Sequence, residues 1–199
     1  MDILDYVKHH FNENIQLKTQ LVEHLPLMTA NAGSLISQAL LEGNKILACG
    51  NGGSGALAQY FVANMLNHFE VERPSLPAIA LVADAVTTTS IANDSSFSEI
   101  FSKQIRALGN EGDVLLTLSA HGNSVNLLRA IEAAHDRNMR VIALTGCEGG
   151  EVASLLYAED IELRVPSYAI ARVRETQLLL LHCLCGLVDQ QLFPGYEGE

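Results

Sequence analysis

Five short apolar runs, separated by stretches of helical periodicity, restrict this chain to very few folds. They are "KILACG" (45–50), "PAIALV" (77–82), "DVLLTLS" (113–119), "RVIALTG" (140–146) and "DIELRV" (160–165). Most are continuously apolar, which suits strands covered on both faces, as in a parallel sheet. Helical patterns fill the intervals at 55–68, 85–107, 124–137 and 150–157, and a long last helix spans 168–192. The alternation predicts an α/β fold with a five-stranded, parallel, doubly wound sheet and right-handed crossovers. Residues 3–41 precede the first strand and read as two helices divided near Pro26, which ends a helix before it. One domain over residues 1–199 is expected, with a helical pair at 1–42 and an α/β core at 43–199.

Composition narrows the function classes. With 48% hydrophobic and 18% charged residues, the 199-residue chain is too apolar for disorder and long enough for a full core. A net charge of −11 supplies no basic field for direct nucleic-acid binding. No apolar run reaches the ~20 residues of a membrane helix. The start, "MDILDYVKHHFNEN", lacks the apolar segment of a signal peptide, so a cytoplasmic protein is expected. Cys49, Cys147, Cys183 and Cys185 form no C-x-x-C pair, and residues 183 and 185 of a helix point about 200° apart. They read as small hydrophobes in a reducing compartment rather than as metal ligands.

In doubly wound sheets, ligands bind beyond the carboxyl ends of the strands. Two loops at that edge stand out: "GNGGSG" (50–55) after the first strand and "SAHGNS" (119–124) after the third. Each runs straight into a helix, whose N-terminus offers unpaired N–H groups and the positive end of its dipole. Ser54, Ser119, Asn123, Ser124 and the backbone around Gly122 therefore read as a phosphate cradle. Ser124 is also placed as a helix N-cap. The pattern is neither a Walker loop, since no Lys follows the glycines, nor G-x-G-x-x-G.

"CGNGGS", "RPSLPAIAL", "IANDSSFSEIFSKQIRALGNEGDVLL", "LSAHGNS" and "ALTGCEGG" together resemble the phosphoheptose isomerase family of SIS (sugar isomerase) domains. The similarity runs through both leading helices and the final "ARVRETQLLLLHCLCGL". It implies a flavodoxin-like sheet, a homotetramer with sites between subunits, and a sugar-phosphate ligand such as sedoheptulose 7-phosphate. Ser119 and Ser124 match the family's phosphate-binding serines. The family's S-T-S-G-N-S loop reads S-A-H-G-N-S here, placing His121 where a third serine stands. The implied substrate-binding set is Asn51, Gly52, Gly53, Ser54, Ser119, Ala120, His121, Asn123 and Ser124, with Asn93 and Asp94 of "IAND".

Ketose–aldose isomerisation needs a base beside the carbonyl and an acid or metal for the enediolate oxygen. The isomerases resembled hold zinc with a His and a Glu four apart after "GNGGS" and a Gln and a His eight apart on the last helix. The matching positions here are Tyr60, Asn64, Arg174 and His182. A phenol is protonated at neutral pH, a carboxamide is a poor zinc ligand, and a guanidinium repels a cation. At 4 Å and an effective dielectric of 20, that repulsion is roughly 4 kcal/mol per unit charge on the ion. No bound metal and no other cofactor are expected. His182 is the remaining catalytic candidate, with Glu175 and Asp94 as alternative bases.

Two readings follow. The first is a sugar-phosphate-binding scaffold resembling the family's branch that associates with a replication initiator, on "NHFEVERPSLPAIAL" and "HCLCGLVDQQLFP". His68 departs from a basic residue usual at that position. The alternative is an active phosphoheptose isomerase converting sedoheptulose 7-phosphate to D-glycero-D-manno-heptose 7-phosphate for lipopolysaccharide-core heptose. Tyr6, Val7, Phe11, Ile15, Leu17, Leu21, Val22 and Leu25 follow a 3–4 rhythm suited to helix bundling between subunits.

Overall fold

A computed structural model describes residues 2–195. Two helices lead the chain, α1 (Ile3–Leu21) and α2 (Leu25–Leu41). Then follow β1 (Ile46–Gly50), α3 (Gly53–Leu66), β2 (Ala78–Ala80), α4 (Ala85–Asp94), α5 (Ser102–Leu108) and β3 (Val114–Leu118). The chain continues through α6 (Val125–Asp136), β4 (Arg140–Gly146), α7 (Gly150–Leu155), β5 (Ile161–Val165) and α8 (Ile170–Leu192). The five strands are all parallel, in the order β2-β1-β3-β4-β5. That is the flavodoxin-like doubly wound order, and its switch point lies between β1 and β3.

Alternate residues of the strands feed two core layers. Val114, Leu116 and Leu118 join Phe61, Ile36 and Leu184 on the face covered by α2, α3 and α8. Leu115 joins Phe101, Ile105 and Ile131 on the face covered by α5 and α6. Cys49 and Cys185 are buried, Cys147 is half-buried and Cys183 is exposed, so the two α8 cysteines do face apart.

Local chemistry sets the breaks. Pro26 occupies the first turn of α2, where its missing N–H costs nothing. The single helix expected over 85–107 is two helices with a 3-10 turn, Phe97–Glu99, between them. Ser96 is extended there (φ −164°, ψ 158°), and its hydroxyl bonds that of Ser98 at 2.5 Å, local competition that ends a helix. β2 has only three residues because it is an edge strand entered from Pro77, which cannot donate to the ladder.

Polar clamps fasten α8 at both ends. The buried Arg73 donates to Asp189 Oδ1 at 2.7 Å and to the carbonyls of Asn64, Met65, Asn67 and Pro74. The buried Arg172 binds the His10 carbonyl and Glu175 Oε1, while Asn14 donates to Glu175 Oε2. These contacts hold α1 against α8. Only Leu17 and Leu21 of α1 are buried; Tyr6, Val7, Phe11 and Ile15 remain exposed.

Candidate functional site

At the switch point, the β1–α3 and β3–α6 loops enclose a cavity of about 330 Å³. Asn51, Ser54, Ser119, Ala120, His121, Asn123 and Ser124 line it, with Leu118 and Leu127 below and Ile170 and Arg174 of α8 closing one side. Two larger clefts elsewhere, about 830 and 600 Å³, have mainly apolar walls.

The 119–124 loop is held by side-chain bonds to backbone and by a glycine turn. Ser119 Oγ accepts from Gly122 N at 2.8 Å, which bends the chain back toward β3. Gly122 has φ +73°, and a Cβ there would lie 1.8 Å from the Gly149 carbonyl oxygen, so only glycine fits. Asn123 Oδ1 accepts from Glu151 N at 2.9 Å and tethers the loop to α7. Asn51 and Asn126 exchange amide bonds at 2.9 and 2.8 Å, joining the two loops. Ser124 is the N-cap residue of α6, but its hydroxyl makes no capping bond. It stays half-buried in the cavity wall with no side-chain partner among the described residues. This corrects the simple capping role expected of it.

On the opposite side, Arg174 lies over the start of α3. A Cβ on Gly53 would sit 2.7 Å from the guanidinium carbon, so the missing side chain makes room for the arginine. Arg174 Nε is buried without an acceptor. Asn64 Nδ2 is likewise buried and unpaired.

Tyr60 and His182 meet elsewhere. Tyr60 Oη and His182 Nε2 are 3.1 Å apart, and the imidazole stacks on Phe69 with ring centroids 5.4 Å apart. Neither lines the cavity. Arg174 and His182, eight residues apart on α8, are separated by about 12 Å of helix rise. Within this chain Arg174 packs beside Gly53 at the start of α3, and His182 pairs with Tyr60 two turns further along it. These groups do not suit zinc: the phenol and imidazole already bond each other, and the remaining pair are a carboxamide and a cation. Glu175 is committed to Arg172 and Asn14, as a structural carboxylate. Asn93 and Asp94 lie exposed at the end of α4, bonded to each other at 2.8 Å, and outside the cavity wall.

Residues that the sequence reading passed over complete the site. Gln177 is wholly buried and donates to the Ser119 and Leu144 carbonyls, supporting the loop from beneath. A polar residue in the apolar "TQLLLLHCLC" run was the available signal. His121 Nδ1 lies 3.4 Å from Cys147 Sγ, a pairing that joins two loops and leaves no trace in sequence spacing.

The SIS domain family matches residues 9–146. The chain belongs to that family. Its relatives place it in the phosphoheptose isomerase group. The protein named phosphoheptose isomerase from Chromohalobacter salexigens is 55% identical over 197 residues, covering 99% of this chain and all of the relative. One of the same name from Coxiella burnetii is 53% identical over 199 residues, covering both chains fully. Among solved structures, a phosphoheptose isomerase from Francisella tularensis has 48% identity and a TM-score of 0.93, covering 96% of this SIS chain and 100% of its own. One from Neisseria gonorrhoeae has 44% identity and a TM-score of 0.91, covering 95% and 100%. These relatives carry the name of the isomerase, which had been the second of the two readings, rather than that of a replication-initiator scaffold. No described helix is long and apolar enough to cross a membrane.

Proposed function

We propose that this SIS protein binds the phosphate of a heptose phosphate, such as sedoheptulose 7-phosphate, in the cavity between the β1–α3 and β3–α6 loops. The observation that carries the reading is the cavity itself. Ser124 offers a hydroxyl with no partner among the described residues, beside the free N–H groups that open α6, at the sheet's switch point. Relatives at 53–55% identity named phosphoheptose isomerase favour ketose–aldose isomerisation as the activity.

In that reaction this chain's residues act without zinc, whose ligands they do not supply. The loops fix the phosphate and so set the position of the carbonyl end. A group moving the proton beside the carbonyl must come within hydrogen-bond reach of it. The Tyr60–His182 pair suits this task, because the phenol can pass a proton to or from the imidazole nitrogen it bonds. The separation along α8 favours a site shared between protomers, with loops from one and the Tyr60–His182 pair from another. The exposed apolar residues of α1 suit the burial that such a homotetramer provides.

A second reading is a binding-only scaffold that associates with a replication initiator. Tyr60, Asn64 and Arg174 favour it, because they remove the metal chemistry of the family while leaving the loops intact. One experiment separates the two: protein with sedoheptulose 7-phosphate, with and without added zinc, assayed for aldose phosphate. Turnover independent of zinc and lost in H182Q supports the isomerase. Binding with no aldose formed supports the scaffold, and absence of binding overturns both.

A further inference from the structure

Arg174 lines the cavity, yet no carboxylate or carbonyl among the described residues accepts from it, and its Nε is buried without a partner. Its guanidinium packs against Gly53, the first residue of α3. That is the positive end of a 14-residue helix, where a cation is unfavourable and an anion is favoured. A permanent charge held there, unpaired and partly desolvated, needs an anion to offset it. The hydroxyls of the 119–124 loop already answer a phosphate on the other wall.

We infer that Arg174 is a second anion anchor, and that the cavity selects phosphorylated sugars carrying a planar pair of negative oxygens at the end remote from the phosphate. A carboxylate is the stable form of that group, as in an aldonic acid phosphate. The guanidinium fork matches it in two parallel hydrogen bonds. A cis-enediolate presents the same two coplanar oxygens, so the same contact serves the proposed reaction. The inference rests on the reading of the cavity as a sugar-phosphate site.

The test is calorimetric titration of the full chain with sedoheptulose 7-phosphate and with the matching heptonic acid 7-phosphate. Wild type is expected to bind the acid at least about tenfold more tightly, the return from one charge-assisted contact. In R174Q that ratio falls to near one, and in R174K part of it survives because the charge remains without the fork. Thermal midpoints of both variants within a few degrees of wild type establish that they fold. Equal affinity of wild type for the two ligands overturns the inference and leaves the sugar-phosphate reading intact. So does an equal loss of both ligands in R174Q, which means that Arg174 grips the phosphate instead. If wild type binds neither ligand, the sugar-phosphate reading fails with it.

Discussion

Replacing Ser124 and Ser119 one at a time separates the ligand's needs from the fold's. The two hydroxyls belong to one loop and face one cavity, but only Ser119 is used internally. Ser119 is 7% exposed, and its Oγ accepts from Gly122 N at 2.8 Å. Ser119→Ala strands that buried donor, at a cost of about 1–3 kcal/mol. For a chain of this size the melting midpoint falls roughly 2–4 °C per kcal/mol. Ser124 caps no backbone group. Ser124→Ala therefore escapes the usual N-cap loss of about 0.5–2 kcal/mol and leaves the midpoint unchanged. In binding, each hydroxyl donates to a charged phosphate oxygen, worth about 1.5–3 kcal/mol or roughly 10- to 150-fold in affinity. Thermal melts and titration with sedoheptulose 7-phosphate read the two effects. Both variants lose affinity, and only Ser119→Ala loses stability. If Ser124→Ala binds like wild type, or melts as low as Ser119→Ala, the assignment of the cradle is wrong.

Three further outcomes are expected. Arg73→Met leaves Asp189 buried without its partner, and breaking such a pair costs about 3–5 kcal/mol; denaturant unfolding showing less than about 1 kcal/mol of loss contradicts the clamp. Gly122→Ala forces a side chain into a φ of +73° and against the Gly149 carbonyl, so sugar-phosphate affinity drops by about 5- to 150-fold if the backbone strain of about 1–3 kcal/mol is relieved by displacing the loop; wild-type affinity in this variant refutes the loop geometry. Burial pushes the Cys49 and Cys185 thiols from an ordinary 9.0 up to about 12. Raised folded-state values stabilise fully below the unfolded value and lose that contribution as pH climbs from about 9 through about 12. Unfolding followed across that range shows the decline, and Cys49→Ala flattens it relative to Cys183→Ala; equal slopes in the two variants defeat the argument.

The parallel sheet was legible because a strand covered on both faces must be apolar throughout, a pattern visible in five places. The two loops that line the cavity were legible for a similar reason, since small, hydroxyl-bearing residues between strand and helix mark a tight turn at the sheet's carboxyl edge. Family resemblance named the four positions at the altered centre, and residue chemistry alone supplied the expectation that they hold no zinc.

Contacts between distant segments were not legible. The resemblance matched Arg174 and His182 to one centre, but they lie about 12 Å apart along α8 and pack against different parts of α3. Only packing sends Arg174 into the loop cavity, because Gly53 leaves room for it, and sends His182 to Tyr60 and Phe69. Glu175 passed for a possible base until α1 folded back to supply Asn14 beside Arg172. The sequence by itself determined the sheet, its carboxyl-end loops and the residue types available there, because periodicity and backbone chemistry are local. Tertiary structure alone decided which distant side chains meet, since Gly53 beside Arg174, Asn14 beside Glu175, and Tyr60 and Phe69 beside His182 lie more than a hundred residues away and no local pattern encodes such distances.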